Sequence, residues 1–281
     1  MQEQAADRTA FRPGPMAVPL ALLLAIYLPT LVDLVSDWYH DANYSHGFLI
    51  PLVSAYLIWT GRHQLRRVRV RAGRAGLLLM ILGLVLFVLG TAAAEYFTAR
   101  FSFVLTLFGL TWYLYGSDFT RRTWFAFFFL CFMIPIPYVI YYNLAFPMQL
   151  LATKITVAAL DVVGMSVVRQ GNIIHIAGGQ SLEVAEACSG IRSLVALLAL
   201  GAIYAYWSQK RFVSQLILFL STIPIAVVAN VVRVLTTSLL VSTVLPGITN
   251  EPWHSIMGLS VFVVAFVCLF IVSAILNRVF K

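Results

Sequence analysis

Apolar residues dominate this chain in long runs, separated by short polar breaks. Runs near 17–35, 75–94, 101–117, 193–209, 212–245 and 255–277 are each long enough for a membrane-spanning helix, which needs about 20 mostly apolar residues. Two shorter or less pure runs, 46–60 and 123–137, raise the expected number to eight. The stretch from Pro135 to Gly164 is apolar but carries Pro135, Pro137, Asn143, Pro147, Lys154 and Asp161. Proline breaks a helix unless neighbours satisfy the freed carbonyls. This stretch is therefore expected to be an amphipathic or re-entrant helix lying at one face. The pattern changes again between Met165 and Gly190. Val167–Ile176 has β-type composition with a Gly171-Asn172 break, Ala177–Gln180 is a turn signal, and Ser181–Ala185 alternates again. A small β-hairpin is the simplest expectation.

Composition sharpens the class. The chain has 281 residues, 61% hydrophobic and 11% charged, against about 25% charged in soluble domains. An all-α polytopic membrane protein is expected: residues 1–15 a disordered cytoplasmic terminus, 16–281 a single transmembrane domain, and an external element over about 138–188. The run from Met16 to Leu34 lacks a small-residue cleavage site and further spans follow it, so it reads as a retained anchor. The chain ends soon after its last span, so no further C-terminal domain is expected.

The formal net charge of +8 invites a nucleic-acid reading until the charges are placed. Cytoplasmic loops are enriched in Lys and Arg. With eight spans and both termini inside, 14 of 19 basic residues fall inside and eight of eleven acids outside. The arginines of 62–74 are then a topogenic signal, which requires neither nucleic acid nor a role at lipid headgroups. A full span at 138–163 would invert everything after it, putting Lys210, Arg211, Arg278 and Lys281 outside.

Candidate chemistry follows from that topology. Glu186-Ala187-Cys188-Ser189-Gly190-Ile191-Arg192-Ser193 leads from the β-type segment into the next span. Cys188 thus precedes a helix N-terminus, whose free N–H groups and positive dipole favour a thiolate and a nearby oxyanion. Arg233 lies within the run 212–245, with Asn230 and Thr237 on its helical face. An ionisable group in a span is expensive and marks a functional candidate. At 22 residues from Arg211, it lies roughly 33 Å along the helix, near the outer end. His254 opens the last span at the same outer edge. A thiolate can attack a carbonyl, a guanidinium can hold the oxyanion, and an imidazole can move the proton. Asn230 can orient a partner; Arg192 can lower the thiol pKa or pair with Glu186; Ser189 flanks the thiol. His46 sits at the outer end of the second span and is a candidate for shaping a substrate groove. Cys131 and Cys268 fall mid-span and read as packing residues. His175 reads as a surface residue of the hairpin, His40 as loop, and His63 as part of the inner basic loop.

These motifs, with Asn230-Val231-Val232-Arg233, His254-Ser255-Ile256-Met257-Gly258 and Tyr44-Ser45-His46-Gly47-Phe48-Leu49-Ile50-Pro51, resemble the exosortase/archaeosortase family over about 44–270. The resemblance implies a membrane-embedded cysteine peptidase or transpeptidase acting on C-terminal sorting signals, with Cys188, Arg233 and His254 as nucleophile, arginine and histidine. Its substrates would be exported, membrane-anchored proteins bearing a short Pro-Glu-Pro-type motif, a hydrophobic helix and a basic tail. A lipid or glycan would be a possible acceptor, and the setting an exopolysaccharide-producing Gram-negative inner membrane with the site facing the periplasm. No cofactor is implied. The rival from another class is a non-enzymatic transporter or assembly factor for exopolysaccharide, which would use the same intramembrane polar groups as a path. A metal site from Cys188, His254 and His46 lacks local ligand spacing, and Arg233 would repel the ion.

Overall fold

The computed structural model describes residues 14–68, 70–176, 180–183, 191–243 and 253–280, with side chains over 15–68, 70–176, 181, 194–240 and 258–280. The chain is almost wholly helical and divides into two compact units, Met1–Ile136 and Pro137–Lys281.

The first unit contains α1 (Gly14–His40), a 3₁₀ turn (Ser45–Phe48), α2 (Leu49–Thr60), α3 (Arg62–Leu65), α4 (Arg74–Ala92), α5 (Tyr96–Tyr115), α6 (Ser117–Leu130) and a second 3₁₀ turn (Cys131–Met133). α4 and α5 form its closest pair. Gly76, Gly83 and Gly90 are all buried on α4. A Cβ on Gly83 would fall on the Thr106 hydroxyl; one on Gly76 would fall on the Tyr113 amide, and one on Gly90 would lie 2.8 Å from the Ala99 amide. Small residues let backbones approach, which is how helices associate where lipid removes the hydrophobic drive. Glu95 caps α5 by accepting from the amides of Phe97 (3.3 Å) and Thr98 (2.6 Å). The Thr98 hydroxyl, ahead of those amides, holds its carboxyl below the ordinary value. Deeper in, the buried Tyr27 hydroxyl meets the hydroxyls of Ser102 (3.0 Å) and Thr106 (3.1 Å). Arg100 pairs with Asp37 at 2.7 Å.

The second unit contains α7 (Tyr138–Val162), strands β1 (Val167–Gln170), β2 (Ile173–Ile176) and β3 (Gln180–Glu183), then α8 (Ile191–Ser208), α9 (Phe212–Thr243) and α10 (Trp253–Val279). β1 and β2 pair antiparallel with Gln170 opposite Ile173 across the Gly171-Asn172 turn. Gly171 has φ +64°, the left-handed region that glycine enters at no steric cost. The expected hairpin is present, and β3 extends it to a three-stranded antiparallel sheet. Ile174 and Ile176 pack with Leu160 of α7 and Val234 of α9. Leu197, Leu218, Ala226, Val261 and Leu269 form the core between α8, α9 and α10.

Six helices among the described residues are long and apolar enough to cross a membrane. Five of them, α1, α4, α5, α9 and α10, coincide with expected spans. α2 and α6 have 12 and 14 residues, below the roughly 17–25 of a spanning helix, and the 18 of α8 stand at the lower edge of that range. The sixth is α7. Its 25 residues run on without interruption, with Pro147 inside the helix. The prolines at 135 and 137 end the preceding segment instead of breaking this one. The structure thus shows a polytopic all-α protein, with two of the eight expected spans, α2 and α6, too short to cross alone and one further helix of full length.

Candidate functional site

Arg233 and Asn230 are buried at 8% and 1% exposure on α9. Three residues apart, they share a helical face. α9 stays helical through Pro224 over 32 residues, and α7, α8 and α10 all pack against it. Arg233 is therefore a charge held inside a helical bundle, beside Val234, which seats the β-sheet.

Two contacts fix the helix registers. Gly201 of α8 lies against Thr222 of α9, where an added Cβ would strike the Thr222 hydroxyl. These helices are consecutive and run antiparallel. Ten residues back from Gly201 is Ile191, the first residue of α8, and ten on from Thr222 is Val232. Independently, Gln209 Nε2, just past the end of α8, donates to Ser273 Oγ of α10 at 2.9 Å. Here the helices run parallel. Eighteen residues back from each is Ile191 on α8 and Ser255 on α10. At a common rise of 1.5 Å per residue, the start of α8, Arg233 and the start of α10 share one level within about a turn. Gln215 ties the opposite end by donating to the Gln209 carbonyl at 2.9 Å.

Cys188, Glu186 and Ser189 lie outside the described residues. Arg192 and His254 are each the second residue of a helix, α8 and α10, whose backbone alone is described there. Cys268 is half-buried on α10, fourteen residues beyond His254, or about 21 Å along the helix. Cys131, in the other unit, has its Sγ 3.9 Å from the Phe127 carbonyl. Both have the packing environments expected from sequence. His175 bonds Ser181 Oγ through Nδ1 (2.8 Å) and Gln170 Oε1 through Nε2 (3.2 Å), a satisfied hairpin residue.

His46 belongs to the first unit, in the 3₁₀ turn Ser45–Phe48. Its neighbour Gly47 touches the Trp38 indole so closely that no Cβ fits. Trp38 Nε1 in turn donates to the Met133 carbonyl at 2.8 Å, and the Tyr44 hydroxyl accepts from the Ile136 amide at 3.2 Å. His46 Nε2 is buried and has no hydrogen-bond partner among the described residues.

One polar feature escaped the sequence reading. α7 buries Gln149, Thr153 and Thr156 along the face that also buries Tyr141, Ala145, Ala152 and Leu160. The signal was there in the three- and four-residue spacing, hidden by the prolines and charges that argued against an ordinary helix.

A family model described as "Transmembrane exosortase" matches residues 38–271. The chain belongs to the transmembrane exosortase family. The matched region takes in the Tyr44–Pro51, Glu186–Ser193, Asn230–Arg233 and His254–Gly258 segments. Members are membrane proteins of sorting-signal processing, generally as cysteine peptidases or transpeptidases. No curated protein matches the chain, and no solved structure does. The chain is accordingly a multi-pass membrane protein of a processing family.

Proposed function

We propose that the chain cleaves C-terminal sorting signals of exported, membrane-anchored proteins through a thioester on Cys188. The supporting observation is the pair of helix registers, which puts the helix that Cys188 precedes, Arg233 and the helix that His254 opens at one level. The Cys188 thiolate attacks the scissile carbonyl and its electron pair moves to oxygen, where the Arg233 guanidinium stabilises the oxyanion. Collapse breaks the C–N bond; the imidazolium of His254 delivers the proton to the departing amine. Water, or an amine on a lipid or glycan, then attacks the thioester and releases Cys188. Asn230 orients the arginine face, Arg192 and Glu186 tune the thiol, and Ser189 flanks it. The setting is a bacterial inner membrane, with both termini cytoplasmic and the site facing the periplasm.

The test is co-expression with a substrate carrying a Pro-Glu-Pro-type motif, an apolar helix and a basic tail. Wild type should yield a Cys188 thioester detectable by mass spectrometry, while Cys188→Ala inserts normally and leaves substrate uncut. Normal processing by Cys188→Ala would sink the mechanism.

A further inference from the structure

The first unit carries a second feature that sorting-signal cleavage does not use. An apolar cavity of about 380 Å³ opens among α1, α2, α5 and α6, lined by Met16, Leu20, Ile58, Leu107, Tyr115 and Phe127 among others. That volume is within the range of small-ligand sites. Met16, Ile58, Tyr115 and Phe119 bring the start of α1, the end of α2, the end of α5 and the start of α6 to its rim, while Leu107 and Phe127 lie further along α5 and α6, so the cavity reaches inward from one end of the unit.

The same end is densely basic. Segments 62–74 and 117–122 hold eight arginines against one acid, Asp118. The fold presses the first of these segments against the cavity wall. Leu65 and Val68 are buried against Tyr115 and Phe119, with Met16 and Ile58 beside them; four of these residues line the cavity. Gly116, at φ +84°, admits the Arg71 carbonyl so closely that no side chain could stand there. The segment is anchored by its apolar residues while Arg66, Arg67, Arg71 and Arg74 are exposed, as are Arg121 and Arg122 on α6. Arg62 is held over the Trp59 ring, 4.1 Å from its centroid. Among the described residues, the ion pair of this unit, Arg100 with Asp37, joins the opposite ends of α1 and α5. A topogenic signal needs charge in a loop, but needs neither a packed loop nor a cavity beside it.

We infer that this end binds an anionic phospholipid, with an acyl chain in the cavity and its phosphate among the arginines. The charge complementarity selects this occupant: guanidinium forks match phosphate oxygens bidentately, and basic pockets between membrane helices hold acidic headgroups. The site does not depend on the proposed peptidase activity.

The test uses the full chain in neutral detergent, titrated with dioleoyl-phosphatidylglycerol, dioleoyl-phosphatidylcholine or glycerol 3-phosphate. Thermal unfolding and native mass spectrometry are the readouts. Phosphatidylglycerol should remain as a discrete adduct and raise Tm, with phosphatidylcholine binding roughly tenfold or more weakly and glycerol 3-phosphate giving no shift. Replacing Arg66, Arg67, Arg121 and Arg122, all exposed, by Gln should abolish the preference for phosphatidylglycerol without lowering Tm in lipid-free detergent. Leu20→Trp, which fills the cavity, should weaken both lipids. Equal binding of the two lipids, a shift with glycerol 3-phosphate alone, or a Gln variant that keeps the preference would overturn the inference. The arginine variant decides even if Leu20→Trp does not fold.

Discussion

Arg233 shows how one side chain can be judged before any geometry is known. Its charge within a 34-residue apolar run already marked it, because lipid does not tolerate a charge without a reason. Burial at 8% beside Asn230 at 1% adds that the charge faces protein. Lysine would keep the charge but lose the planar fork. Arg233→Lys should therefore insert and fold like wild type while cleaving roughly 10²–10³-fold more slowly, the scale of losing one oxyanion donor; a single-turnover cleavage assay reads this directly. Equal rates for Lys and Arg would mean that charge alone is needed there. The cysteines were legible in the same way. Cys131 and Cys268 were separable from Cys188 by their place in the runs, and their half-buried surroundings suit packing. What residue-level reading could not reach was the Gln149, Thr153 and Thr156 face of α7, since polar residues inside a proline-bearing run look like interruption.

At the scale of elements, glycine was the unread signal. Gly76, Gly83 and Gly90 recur every seven residues, yet mean apolarity, which finds spans, is blind to which face a small residue occupies. Their meaning lies in the partner helix, at Tyr113, Thr106 and Ala99. Gly201 has the same role between α8 and α9, and there it sets the register of the proposed site. Gly201→Ala should force the two helices apart, lowering stability by about 1–3 kcal/mol as overpacking does, and slow cleavage as well. Thr222→Ala in the same chain should recover part of both losses, because it removes the hydroxyl that the new methyl would strike. Thermal unfolding in detergent and the cleavage assay measure the two effects. α7 teaches the opposite lesson about proline. Pro147 sits inside a continuous 25-residue helix, and the penalty that sequence assigns to such a proline is local, so packed neighbours can offset it.

For the whole molecule, apolar pattern and charge carried different information. Pattern established the polytopic helical class. Of the eight spans it led us to expect, α2 and α6 are helices of 12 and 14 residues, α2 ending at the Gly61 turn and α6 beginning at Gly116. Charge bears on how the chain threads. The two basic ends share a side only if α7 and the shorter helices together leave an even number of crossings. We expect a fluorescent protein fused after Lys281 to fluoresce and alkaline phosphatase at the same place to be inactive, with the same outcome at the N-terminus. The reverse pattern at Lys281 alone would make α7 a crossing helix.

The 18 residues of α8 have a further consequence. At 1.5 Å per residue the helix is about 27 Å long, shorter than a hydrocarbon core of about 30 Å. A helix this short is accommodated by local thinning of the bilayer around it. Cleavage would depend on how far the surrounding lipid dimples to bring water and the scissile bond together. In proteoliposomes, lengthening the acyl chains from 18 to 22 carbons should slow cleavage severalfold without unfolding the protein. The thickness of the host membrane would act as a rheostat on the reaction.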